Sequence, residues 1–201
     1  MKLNRSILIT VVFGLAAVVS PAARAQGVTW RIDPLHSSAQ FTVRHMMISK
    51  VRGVFGGVKG NVVYDPKNPA AASVEATIDV TTLNTGQAKR DSDLKGADFF
   101  DVKRYPEMKF KSKSVEVAGP DKLKVTGDLT INAITRQVIL DVDGPTPPIR
   151  DTQGREKIGV SGTTKVSRKE FGILYNPMME SGGVAVSDEV AIEIEAELFR
   201  N

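Results

Sequence analysis

Apolar and polar residues alternate with a period of two along most of the chain. Ala39, Phe41, Val43 and His45 fall on one face of an extended segment, with Gln40, Thr42 and Arg44 opposite. Val74, Ala76, Ile78 and Val80 repeat the pattern against Glu75, Thr77 and Asp79. Leu123, Val125, Leu129 and Ile131 do so again, as do Val138, Leu140 and Val142. Ile158, Val160, Thr164 and Val166 form the next series, and Val190, Ile192, Ile194, Ala196 and Leu198 the last. Such alternation predicts strands with one dry and one wet face. The expected strands are 37–45, 52–64, 74–80, 108–117, 122–131, 135–143, 156–166 and 188–199. Turn-forming stretches such as Asp65-Pro66-Lys67-Asn68-Pro69 and Gly119-Pro120-Asp121 separate them. Many short antiparallel strands imply an all-β sandwich or closed barrel.

One stretch interrupts the alternation. Thr85 to Lys95 predicts a short helical insertion, with Asn84 or Thr85 as its N-cap and Gly96 just past its end. Ser167 to Phe171 predicts a single helical turn.

The first 25 residues are of a different kind. Lys2 and Arg5 precede an apolar run from Ile7 to Val19, and Ala23-Arg24-Ala25 follows. The run is too short to span a bilayer, which takes about 20 residues. Charged start, apolar middle and A-x-A end predict a cleaved secretory signal peptide over 1–25 and a single domain over 26–201. The expected location is the bacterial periplasm.

Charge then changes meaning. The 201 residues carry 27 Lys+Arg and 23 Asp+Glu, a net charge of +4. Lys2, Arg5 and Arg24 leave with the leader; taking three from 27 leaves 24 basic against 23 acidic residues, or +1. A near-neutral domain has no global field for polyanions, so nucleic acid is an unexpected partner. Lys109, Lys111 and Lys113 read as one solvated strand face. The absence of cysteine removes disulfides, thiolate catalysis and Cys-based metal sites.

The catalytic and metal patterns are weak. Asp33, His36 and Ser37 sit in one turn, whereas a triad converges from separate segments. Hydrogen bonding within that turn is the expected role. Two histidines nine residues apart offer no zinc spacing, and Asp91 with Asp93 lacks the remaining calcium-loop positions. No metal, no cofactor and no catalytic residue is assigned. Arg90-Asp91 is expected to gate a barrel, to bind a ligand head group or to form a local ion pair. Ala39, Gly60, Ala76, Gly127, Gly162 and Ala196 are small residues on inward positions. They either leave space along a barrel axis or relieve strain where strands bend.

Several motifs carry a resemblance. Trp30-Arg31-Ile32-Asp33 with His36-Ser37, Phe41-x-Val43-Arg44-His45-Met46 and Val51-Arg52-Gly53-x-Phe55 resemble the opening of the YceI-like family. Arg90-Asp91, Asp98-Phe99-Phe100-Asp101-Val102, Tyr105-Pro106 and Val125-Thr126-Gly127-Asp128-Leu129 are similar to later parts of its pattern. The resemblance implies an eight-stranded antiparallel lipocalin-like barrel that holds a polyisoprenoid or another long-chain amphiphilic lipid without catalysis. It also implies export and, as one assembly state, a homodimer. The family often has His where this chain has Asp93 and Asn132. Together with the inward pattern, the resemblance assigns Phe41, Val43, Phe55, Ile78, Phe99, Phe110 and Leu129 to a tunnel wall. His45 and Arg90 would meet the ligand's polar end, under the helical insertion. Two other functions follow from the residues: an interaction module whose axis is blocked by Phe side chains, and a hydrolase pairing His45 with Asp91 or Asp93.

Overall fold

The computed structural model describes residues 27–178 and 183–200. The leader over 1–25 lies outside them. Eleven strands form: β1 Val28–Ile32, β2 Ser38–His45, β3 Ser49–Phe55, β4 Lys59–Tyr64, β5 Ser73–Asp79, β6 Glu107–Gly119, β7 Lys122–Ile131, β8 Ile134–Asp143, β9 Ile149–Arg150, β10 Glu156–Ser167 and β11 Glu189–Arg200. Among the described residues one α-helix, α1, spans Ala88–Leu94. All strand pairs are antiparallel, and β1, β4, β5, β6, β7, β8, β10 and β11 close a ring through β10–β11 pairing. The fold is therefore an eight-stranded barrel with one short helix.

The expected strands map onto this ring with two differences. The 52–64 segment is not one strand. It breaks at Gly56 to Val58, and Gly57 takes φ of 63°, a left-handed conformation that a ladder residue cannot hold. The second difference is β1, whose five residues alternate too briefly to stand out. β1 and β2 lie end to end along the same edge of β11: Ile32 faces Leu198, and Ser38 faces Glu195. β3 and β4 lie end to end beside them. Each pair of short strands acts as one interrupted stave. Val80 leaves the β5 alternation and enters a 3-10 turn over Val80–Thr82, where it is nonetheless fully buried.

The break between β1 and β2 is held by a polar knot. Asp33 accepts hydrogen bonds from the Leu35 N–H at 3.1 Å and pairs with His36 Nδ1 at 3.0 Å. Lys157 Nζ reaches Asp33 at 3.2 Å and Glu197 at 2.8 Å. The turn thus has the hydrogen-bonding role expected of it. Burial pushes the Asp33 carboxyl up, but its bonds to His36, Leu35 and Lys157 outweigh burial and lower its pKa from 3.8 to about 2. A depressed carboxylate stabilises the fold above its unfolded pKa and stops doing so as pH falls through the folded one. Asp33→Asn is expected to cost about 2 kcal/mol at pH 7. Urea melts should show that difference at pH 7 and its loss between pH 4 and pH 2.

On the outer faces, lysines pair across strands. Lys111 meets Glu75 at 2.6 Å, Lys113 meets Asp128 at 2.6 Å, and Lys124 meets Asp141 at 3.0 Å. The Lys109–Lys113 set is the solvated face that alternation predicts.

The ring is not paired along its whole height. β8 and β10 share only the register Asp141–Asp143 with Ser161–Thr163. Beyond it, β8 pairs with β7 and β10 with β11. The 3-10 turn Arg168–Phe171, the single turn expected there, packs against this part of β8. Phe171 and Ile173 are buried there.

Candidate functional site: an apolar cavity through the barrel

Every strand of the ring sends apolar side chains inward, and they leave a cavity of about 850 Å³. This lies toward the upper end of small-molecule pockets, which run from about 300 to 1,000 Å³. On β7 the wall extends from Leu123 to Ile131, eight steps of about 3.3 Å or roughly 26 Å. The space is long and narrow, as an eight-stranded barrel requires.

Its charged lining is confined to one end. His45 ends β2, Arg90 and Asp93 lie on α1, Asp98 follows the helix, and Arg168 follows β10. Exposed His45, Ser92, Asp93, Asp98 and Tyr175 mark where the cavity reaches the surface. At the other end Tyr64, Leu123 and Pro145 are half-buried.

The inward small residues divide. Ala39, Ala76, Gly162 and Ala196 border the cavity. At Gly162 an added Cβ would make only ordinary contacts with the Ile194 and Val142 side chains, at 3.7 and 3.8 Å, so the position has room for a side chain beside the cavity. Gly60 and Gly127 do not border it. At Gly60 (φ 150°) a Cβ would come within 2.0 Å of the Glu75 carbonyl oxygen, and at Gly127 the Phe110 ring lies on the backbone. Both readings of the small residues hold, at different positions.

All nine residues singled out from the sequence stand along the wall: Phe41, Val43, His45, Phe55, Ile78, Arg90, Phe99, Phe110 and Leu129. Aromatic rings meet one another along the wall. Phe55 meets Phe41 at 5.6 Å and Phe100 edge-on at 5.4 Å, and Phe99 meets Tyr175 at 5.3 Å. The interior is a cavity and not the filled core of the interaction-module reading.

Two details of the helical insertion correct the expectations. Its N-cap is Gln87, whose side chain accepts from the Arg90 N–H at 2.6 Å, not Asn84 or Thr85. Gly96 does follow the C-cap Lys95. Arg90 and Asp91 make no direct ion pair; Thr85 lies between them. The Thr85 hydroxyl donates to Asp91 Oδ1 at 2.5 Å and accepts from Arg90 Nε at 2.7 Å, while Arg90 also donates to the Thr85 carbonyl at 2.9 Å. The Thr85 hydroxyl and N–H hold the Asp91 carboxyl below its ordinary value. Thr85→Val is expected to lose about 1–2 kcal/mol of stability, with hydrogen exchange faster in α1 than in β7.

Among the described residues no hydrogen bond joins His45 to Asp91 or Asp93. Asp91 is engaged by Thr85, and Asp93 accepts from Lys89 at 3.1 Å. Asn132 is not a wall residue. It donates to the Phe99 carbonyl at 2.7 Å and ties the β7–β8 turn to the loop after α1.

Arg168 also borders the cavity, and the sequence reading did not single it out. Its side chain is 6% exposed. It donates to the carbonyls of Ser187, Ile173 and Tyr175 at 3.1, 2.7 and 2.9 Å, and to Asp188 at 3.1 Å. One guanidinium therefore fastens the segments on both sides of residues 179–182 to the mouth. A basic residue in a turn reads as solvated, and nothing in the local pattern signals otherwise.

The sequence model of the YceI-like domain matches residues 30–198. The chain belongs to the YceI-like family. Relatives in that family are similar over most of their length. A UPF0312 protein of Vibrio cholerae is 36% identical, covering 80% of this chain and 85% of its own. One from Staphylococcus aureus is 34% identical, covering 82% and 94%. Among solved structures, Burkholderia cenocepacia BcnA superimposes with a TM-score of 0.70 at 26% identity, covering 83% of this YceI-like chain and 98% of BcnA. The Campylobacter jejuni YceI protein gives 0.63 at 30% identity, covering 77% and 87%. A polyisoprenoid binding domain from Saccharophagus degradans gives 0.63 at 13% identity, covering 86% and 98%, a likeness of fold.

Proposed function

We propose that this YceI-like barrel binds a long-chain polyisoprenoid or similar amphiphilic lipid, without catalysis, in the periplasm. The observation that carries the reading is the cavity: long, narrow and apolar, with its charged groups gathered at one end. That polarity matches a chain inside and a head group at His45, Arg90 and Asp93. Each buried methylene-sized group contributes about 0.8 kcal/mol, so chain length alone sustains tight binding. A barrel of the same fold is a polyisoprenoid binding domain in Saccharophagus degradans, which supports the ligand class. The periplasmic assignment rests on the leader pattern of residues 1–25.

The test is titration with a fluorescent prenyl chain in two lengths. Affinity is expected to rise with chain length, by about fourfold per methylene-sized group until the cavity is full. Equal affinity for long and short chains contradicts the reading.

A further inference from the structure

The β2–β3 hairpin projects from the mouth and combines three features. Its tip, Met46-Met47-Ile48, is apolar and open to solvent: Met47 is 58% and Ile48 79% exposed. Met46 and Met47 both take left-handed φ, 50° and 61°. Among the described residues the other non-glycine positive-φ positions are Asp101, Asp121, Asn132 and Ala133, all small or polar. Long apolar side chains are disfavoured there, and Asn or Gly is the usual choice. Turn geometry therefore does not explain the two methionines.

The third feature is charge. On other strands several lysines face carboxylates directly, as Lys111 faces Glu75 and Lys122 faces Asp143. On this hairpin Arg44 stands directly opposite Lys50, and Arg52 lies next on the same outer face. Like charges in register are destabilising. Among the described residues no carboxylate pairs with any of the three. The apolar rim continues next to the tip. The Met46 N–H donates to the Ala185 carbonyl at 2.7 Å, and Met178 bridges to Val184 beside exposed Leu174 and Tyr175.

We propose that this hairpin docks the barrel on an anionic lipid bilayer. Met46, Met47 and Ile48 enter the acyl boundary, and Arg44, Lys50 and Arg52 meet the phosphate headgroups. An apolar tip collared by cations is complementary to that surface and to no neutral one. Docking in this orientation sets the cavity mouth against the bilayer, so a chain passes between them without crossing water. The proposal concerns the outside of the mouth and holds whatever the cavity carries.

The chain has no cysteine, so single labels can be placed at will. The full chain carries an environment-sensitive nitrobenzoxadiazole dye at Met47→Cys, at Ile48→Cys, or at Ile149→Cys, an exposed position on β9. Each is mixed with vesicles of phosphatidylglycerol or of phosphatidylcholine at 0.15 M salt. The two tip labels are expected to brighten several-fold and shift blue on phosphatidylglycerol only, with Ile149 unchanged. Replacing Arg44, Lys50 and Arg52 with Gln is expected to weaken binding on the order of 100-fold, since each cation contributes about fivefold at an anionic surface. Tip labels that stay in water on phosphatidylglycerol overturn the proposal, as does an equal response on phosphatidylcholine or at Ile149. A response that needs no vesicles and grows with protein concentration assigns the tip to a second copy of the chain and also overturns it. Prenyl-chain titration of the same samples reads the cavity separately.

Discussion

Gly162→Phe is expected to abolish uptake of a long prenyl chain while leaving the barrel folded. Gly162 sits midway along β10, facing inward, where an added Cβ makes only ordinary contacts with Ile194 and Val142. A phenyl ring there projects into the cavity and cuts its length. Displacing four methylene-sized groups costs about 3 kcal/mol of binding, more than 100-fold in affinity. The melting temperature should move by no more than a few degrees, because the ring occupies space that is already open. Gly127→Ala is the counterpart. Its Cβ would lie 2.5 Å from the Phe110 ring and 2.7 Å from the Lys111 carbonyl oxygen, so it should destabilise the fold. Calorimetry together with prenyl-chain titration separates the two outcomes. A Gly162→Phe protein that binds long chains as the parent does removes the barrel axis as the binding site.

Arg168→Leu is expected to produce the largest loss of stability among the substitutions considered. The guanidinium is buried and donates to three carbonyls and one carboxylate. Leucine leaves those carbonyls without donors and Asp188 without one of its two cationic partners. Removing one partner of a buried charged network costs about 3–5 kcal/mol. For a chain of this size that lowers the melting temperature by about 6 to 20 °C. Arg168→Lys should restore little, because an ammonium cannot reach the same acceptors in the fixed fork of a guanidinium. Hydrogen exchange should quicken first in residues 171–176 and 186–188. Uniform quickening across β6 and β7 would show that Arg168 supports the whole barrel and not the mouth in particular.

The difference between these sites shows what a sequence displays. The inward faces of β2, β5, β7, β8, β10 and β11 were legible because period-2 alternation reports burial residue by residue. The inward placing of Phe41, Ile78 and Leu129 followed from that, and the family resemblance added the tunnel. The barrel's closure did not follow, since the pairing of β11 with β1 joins opposite ends of the domain and leaves no mark on either strand. The break at Gly56 to Val58 was hidden because the alternation resumes in β4, and β1 was too short to register. Polar side chains were the least legible. Thr85, Asn132 and Arg168 act through carbonyls and carboxylates brought from elsewhere in the chain, and Arg90 meets Thr85 where its neighbour Asp91 suggested a direct pair. The small inward residues could not be sorted at all without backbone coordinates. Gly162 and Gly127 both stand on inward strand positions, yet one opens the cavity and the other is covered by a ring.

Native mass spectrometry of the protein purified from its own cells tests the central claim most directly. The parent chain is expected to carry a noncovalent chain lipid that organic solvent extracts, and Gly162→Phe is expected to carry none. A parent that arrives empty in repeated preparations, and takes up no added prenyl chain, would contradict the account.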